Sequence, residues 1–162
     1  MAPVNIQHHI AKIYTARLDD CWAAATAMVM HRHSIAGTDH VKALAQAANI
    51  PLSAGTLPDT SVALLAGAVH LGFHDFQSKE ITLAVLERLL KRGPVVAFGY
   101  FNYPGRQPAN KHAVAIYSLI GDGSARRTRV NLIDPSATVN PFHDDWEHFM
   151  QSVADITYVL SY

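Results

Sequence analysis

Cys21 is the only cysteine of the chain, and it stands in Asp19-Asp20-Cys21-Trp22-Ala23-Ala24-Ala25-Thr26. There, two aspartates of the kind that cap helices meet an Ala-rich run that favours helix. A helix start presents unpaired backbone N–H groups and the positive end of the helix dipole, and both favour thiolate over thiol. Far downstream, His112 opens an apolar run, Lys111-His112-Ala113-Val114-Ala115-Ile116-Tyr117, and Asp134 closes the next one, Val130-Asn131-Leu132-Ile133-Asp134-Pro135. A thiol nucleophile, an imidazole base and a carboxylate to orient the imidazole are the groups that thiol-based acyl transfer uses. Each residue alone has a plainer explanation: a core thiol, a strand-end histidine, an Asp-Pro turn. The order of the three, each at an element boundary, is far more specific than any one of them.

The elements around them divide the chain into a helical half and a strand-rich half. Asp19 or Asp20 caps a helix expected over about 22–33, and Thr38 or Asp39 a second over about 40–48 that Pro51 ends. Asp59 or Thr60 starts a third over 61–70, with Gly72 as its stop. A fourth spans 80–91, with Ile81, Val85, Leu86, Leu89 and Leu90 on one face and Gly93 at its end. From Pro94 the pattern changes to short β-branched and aromatic runs over 95–100, 113–119, 129–133 and 156–160. Gly121-Asp122-Gly123 reads as a hairpin turn, 102–111 as a loop into His112, and 144–152 as a short helix before the last strand. The expectation is a single α+β domain over 1–162, its cleft at the seam between the halves. That seam sets Cys21 on one wall and His112 with Asp134 on the other.

A chain of 162 residues, 49% apolar and 16% charged, has the composition of one compact globular domain. Its 13 basic and 13 acidic residues cancel, so no polyanionic partner such as nucleic acid is expected. One cysteine excludes an intrachain disulfide. The segment 1–9 has no apolar core of signal-peptide length, and the longest apolar stretch, 23–30, is broken by Thr26 and too short for a bilayer. The expectation is therefore no membrane partner and synthesis in the cytoplasm without a cleavable signal. Action outside the cell would need a dedicated secretion system.

Chemically, His112 would hold Cys21 as a thiolate–imidazolium pair, and attack on an amide carbonyl would give a thioester acyl-enzyme. His112 would protonate the leaving amine and then activate water, with Asp134 fixing its tautomer. The Cys21 backbone N–H is a candidate oxyanion donor.

The block from Asp20 to Thr26 resembles the active-site helix of papain-like cysteine proteases, above all short bacterial effector forms. Gly93-Pro94-Val95-Val96, His112-Ala113-Val114-Ala115-Ile116 and Asn131-Leu132-Ile133-Asp134-Pro135 resemble the sheet half of the same group, and bacteriocin-leader peptidases look similar there. The likeness spans about 17–136. It implies a papain-like fold, Cys21 as nucleophile, His112 as acid/base, Asp134 as orienter, and no cofactor. It also implies a protein or peptide substrate, with an immunity protein or chaperone as the partner of a secreted effector or toxin. The pattern departs at one place: such enzymes carry a glutamine shortly before the cysteine as an oxyanion donor, where this chain has Thr15. Losing one such donor costs about 2.7–4 kcal/mol of transition-state stabilisation. Thr15, Arg17 or a backbone group is the substitute to look for; Gln7 lies too far upstream.

Other readings share these residues. A peptidoglycan amidase or endopeptidase of the Cys–His type uses the same thiol chemistry, as does an acyl-transfer or deamidating toxin. A non-catalytic papain-fold binding module would explain the missing glutamine. Ten histidines suggest metal, yet no second cysteine and no His-Glu-x-x-His pattern accompanies them, so no metal is expected. The aromatics Tyr100, Phe101 and Tyr103 either pack over the sheet edge or wall the substrate side. Arg126-Arg127-Thr128-Arg129 reads as a solvated hairpin end, with a docking patch as the minor alternative.

Overall fold

A computed structural model of the chain describes residues 2–13, 20–31, 38–52, 57–104, 111–136 and 142–162. The elements run β1 (Val4–Gln7), α1 (Cys21–Met30), α2 (Thr38–Ala48), α3 (Asp59–Ala68), β2 (Gly72–Asp75), α4 (Leu83–Leu90), β3 (Val95–Phe101), β4 (His112–Gly121), β5 (Thr128–Ile133) and β6 (Phe142–Asp145). There follow α5 (Trp146–His148), a π-helical turn (Phe149–Val153) and β7 (Ala154–Ser161). Among the described residues seven strands form one sheet in the order β2-β7-β3-β4-β5-β6, every pairing antiparallel, with β1 also on β4. β5 holds one side of β4 along Ala115–Gly121, so β3 and β1 share the other side in succession.

The strands read as continuous apolar runs because both faces of the sheet are covered. Val96, Phe98, Ala113, Ala115 and Leu160 pack with α1, α2 and α3. Their alternates Val95, Ala97, Val114, Ile116 and Val159 pack with α4 and with Trp146 and Phe149. The helix α1 is apolar all round, and all its residues but Met30 are buried, as a helix enclosed by other elements must be. Its one interior polar group, the Thr26 hydroxyl, donates to Trp22 O at 2.7 Å. The four alanines Ala23, Ala24, Ala25 and Ala27 are wholly buried, which brings the helix backbone close to β4 and β3.

Several boundaries differ from the sequence expectation, each for a local reason. Asn49 (φ 54°) ends α2 and His70 (φ 56°) ends α3 in the left-handed region, with Ile50 N–H donating to Ala45 O and Leu71 N–H to Ala66 O at 3.0 Å each. Gly72 is therefore not the stop of α3 but the first residue of β2. Thr82 caps α4, its Oγ1 accepting from Val85 N–H at 3.3 Å, so the helix begins after 80–82 rather than within it. Asp20 holds the N-cap position of α1 without a side-chain bond to the first turn. The expected 144–152 helix is instead the end of β6, three helical residues and a π turn. The short strands β1, β2 and β6 were not anticipated, and α4 lies on the far face of the sheet instead of with the other helices. The β4–β5 connection is the six-residue stretch 122–127, longer than a Gly-Asp-Gly hairpin turn; Asp122 Oδ1 accepts from Ser124 N–H at 2.8 Å within it. Asp19, His33 and most of the loop before Lys111 lie outside the described residues.

One irregularity matters for the site. Between β3 and β7 the register steps from Phe98↔Tyr158 to Gly99↔Ile156, leaving Thr157 as a bulge whose Oγ1 donates to Phe98 O at 3.1 Å. A Cβ on Gly99 would stand 2.1 Å from Asp155 O, so this crossing admits only glycine. Gly99→Ala should lower stability by about 1–3 kcal/mol, the usual penalty of overpacking. Urea denaturation would check this, and a midpoint equal to wild type would show that β3 and β7 can separate there at no cost.

Candidate active site

The strand register brings the imidazole to the carboxylate. Continued beyond Ala115↔Ile133, the β4–β5 pairing sets Asp134 opposite Val114 and Ser136 opposite His112, which makes Asp134 a diagonal neighbour of His112. Their side chains meet in a hydrogen bond, His112 Nε2 to Asp134 Oδ1, at 2.7 Å. Ser136 donates both its N–H and its hydroxyl to the same oxygen, each at 2.7 Å. Asp134-Pro135-Ser136 is thus a turn closed by the aspartate's own side chain, with Pro135 fixing the bend. The other oxygen, Oδ2, accepts from the hydroxyl of Tyr103. Ser136 Oγ also lies 3.5 Å from His112 Nε2.

Both partners are deeply buried, His112 at 2% and Asp134 at 1% exposure. Burial alone would push the Asp134 carboxyl up. The hydrogen bond and charge of His112, with the donors Ser136 and Tyr103, outweigh it and hold the group well below the ordinary carboxylate range. Lys12 senses the same charge: burial lowers its pKa, and Asp134 offsets part of that fall.

Cys21, first residue of α1 and 4% exposed, joins His112 in lining one cavity. Trp22, Leu57, Val62, Phe98, Ala113, Thr157 and Tyr158 complete an apolar wall, in which the β3–β7 bulge supplies Phe98, Thr157 and Tyr158. The remaining wall residues are charged: Lys111 pairs with both oxygens of Asp59, Oδ2 at 2.6 Å, and lies 5.9 Å from the Tyr158 ring. A wider groove at the end of α2, lined by Lys42, Ala45, Gln46, Asn49, Ile50, Pro51 and Leu52, shares no residue with this cavity and none of its chemistry.

The structure therefore pairs His112 with Asp134 and sets Cys21 and His112 in the walls of one cavity. Thr15 and Arg17, the expected substitutes for an oxyanion glutamine, lie outside the described residues. Sequence reasoning missed Ser136 and the part played by Tyr103. Phe101 and Tyr103 do not line the cavity. Phe101 sets its ring edge-on to His112, centroids 6.5 Å apart, while Tyr103 packs on Phe142 of the edge strand β6, which fits the sheet-edge alternative, and also reaches Asp134. Asp134-Pro-Ser is the signal that could have found Ser136, since an aspartate before proline commonly bonds the backbone two residues on.

Several other histidines have structural partners. His74 Nε2 bonds Ser161 Oγ at 2.8 Å, His8 Nε2 bonds Leu90 O at 2.7 Å, and His148 pairs with Asp144. His31 packs on His40 with the two rings tilted, centroids 4.1 Å apart. Among the described residues no three His, Cys, Asp or Glu side chains are grouped as metal ligands, and no helix is long and apolar enough to cross a membrane. Arg126 pairs with Glu147 at 2.6 Å and Arg127 with Asp122 at 3.7 Å, which suits a solvated hairpin end.

Comparison with known proteins places the fold. The chain is similar in structure to the peptidase domain of Streptococcus ComA, a bifunctional ABC transporter involved in a quorum-sensing pathway. The TM-score is 0.57 at 13% identity, covering 94% of this chain and 98% of that one. The α+β architecture with its antiparallel sheet is similar to the fold of that peptidase domain, which is consistent with the fold implied by the resemblance of the sequence. No family model and no curated protein matches the sequence.

The electrostatics give a stability test. The Asp134 carboxyl sits below its unfolded value of 3.8, so its contribution is fully present above that pH and fades as pH falls toward the folded value. Asp134→Asn should therefore be less stable than wild type at pH ~7, and the gap should narrow steadily below pH ~4, where the unfolded carboxylate gains its proton. Urea unfolding across this range checks it; a gap that stays constant with pH would remove the charge from the explanation.

Proposed function

We propose that this chain is a cysteine peptidase in which Cys21 is the nucleophile, His112 the acid/base and Asp134 the group that orients His112. The observation that carries the reading is the buried His112–Asp134 hydrogen bond beside a cavity that the only cysteine also lines. The fold shared with a peptidase domain supports it. With Nε2–H donated to Asp134, Nδ1 is the ring nitrogen that takes the proton of Cys21. The imidazolium so formed sits against a carboxylate that stays ionised. The dipole of α1 and the pair together favour the thiolate.

Attack of Sγ on a substrate amide carbon forms the C–S bond and puts charge on the carbonyl oxygen. The Cys21 N–H, at the first position of α1, is the donor on hand for that charge. Collapse breaks the C–N bond as His112 gives its proton to the departing amine. Water then loses a proton to His112, adds to the thioester, and returns Cys21 as thiolate. Leu57, Val62, Phe98 and Tyr158 give the cavity beside Cys21 and His112 an apolar wall, and the Lys111–Asp59 pair adds charged groups to its lining.

Cleavage of a proteome-derived peptide library, read by mass spectrometry of new N-termini, tests the reading. Cys21→Ala and His112→Ala should each lose activity by about a thousandfold or more, and Asp134→Asn by a smaller factor. Cys21→Ala that cleaves at the wild-type rate would refute it.

The finer reading is an exported bacterial effector or toxin that cuts a protein of another cell, and it rests on the sequence. Expression in a bacterial host tests that role: wild type toxic in the cytoplasm and harmless as Cys21→Ala supports a protein substrate. Toxicity confined to the periplasm transfers the assignment to a cell-wall amidase.

A further inference from the structure

We infer that Tyr103 is a positioning residue of this site: by donating its hydroxyl to Asp134 Oδ2 it fixes the rotation of the carboxylate and limits the charge that reaches His112. The inference rests on the peptidase reading for its catalytic consequence, but not for the hydrogen-bond relay itself. A carboxylate turns easily about its last side-chain bond, and its two oxygens are equivalent until their partners differ. Here they differ. Oδ1 accepts from His112 Nε2, Ser136 N–H and Ser136 Oγ, all at 2.7 Å, and Oδ2 accepts from Tyr103. Tyr103 thus holds the carboxylate through the oxygen that His112 and Ser136 do not use.

The Tyr103 ring is itself fixed. It is 5% exposed, stacks on Phe142 of β6 with centroids 4.8 Å apart and planes at 25°, and lies 6.5 Å from Phe101, whose ring meets His112 edge-on. The residue thus ties the β3–β4 connection and the edge strand β6 to the same carboxylate. A phenol hydrogen bond draws on charge that would otherwise stabilise the imidazolium, so its loss should let His112 keep its second proton to higher pH. Among the described residues, the ionisable groups near the pair include Lys12, which senses Asp134, and Cys21, Lys111, Asp59 and Tyr158 around the cavity.

The test compares wild type, Tyr103→Phe and a variant with 3-fluorotyrosine at position 103, whose more acidic phenol is the stronger donor. Two measurements are made: the pH profile of kcat/KM on a cleaved peptide, and the titration of His112 by NMR of histidine-labelled protein. In Tyr103→Phe the alkaline limb and the His112 titration should both move to higher pH, and kcat should fall about tenfold with KM little changed. In the fluorotyrosine variant both curves should move to lower pH, and this variant, which keeps the hydroxyl, decides the matter where Tyr103→Phe fails to fold. A residue that only packs would lower thermal stability and leave both curves in place; superimposed His112 titrations in all three proteins overturn the inference. Retained activity in Cys21→Ala would instead overturn the peptidase reading, and the NMR titration would then decide the hold of Tyr103 on the pair by itself.

Discussion

A carboxylate buried to 1% exposure governs the architecture of this site. An ion so enclosed survives only if its lone pairs are occupied, since leaving one partner of a buried pair unmatched costs about 3–5 kcal/mol. Asp134 meets that demand with donors from three places in the chain: His112 at the start of β4, Ser136 just beyond β5, and Tyr103 from the β3–β4 connection. Each hydrogen bond to a charged group contributes about 1.5–3 kcal/mol, and each also fixes an angle. The placement of His112 and the closure of this end of the sheet are thus one problem with one solution.

That solution requires a sheet covered on both faces. α1, α2 and α3 seal one face and α4 with the α5 segment the other, which excludes water from the strands that carry the pair. Cys21 and Trp22 reach the cavity from the helical side, in the first turn of α1. The bulge at Thr157 brings Phe98 and Tyr158 into the opposite wall, and Gly99 is what lets β7 come close enough to make it.

Much of this was legible in the sequence. The alanine run places Cys21 at a helix start, and Asp20 takes the N-cap position, although its side chain makes no cap bond there. The apolar runs around His112 and Asp134 read as neighbouring strands because their lengths and boundaries match a hairpin pairing. What escaped was set by partners distant in the chain. β1, β2 and β6 are four residues each and exist because β4, β7 and β5 offer them an edge, not because Val-Asn-Ile-Gln or Gly-Phe-His-Asp has a strong strand pattern. The end of α3 was misread because glycine is the usual left-handed stop, whereas here His70 takes that conformation two residues earlier. Tyr103 looked like one aromatic among three, since nothing local to it announces a carboxylate supplied from 31 residues downstream.

The small side chains of α1 have a consequence for how this chain can vary. Four alanines at zero exposure set the gap between helix and sheet, so the height of the Cys21 sulfur over its surroundings follows from methyl groups and not from larger side chains. A single added methylene along that face would tilt the helix and carry the thiol with it. Under the proposed peptidase reading, drift in the lining of α1 would displace the thiol while Cys21, His112 and Asp134 kept their identity, so an inactive relative could retain all three unaltered.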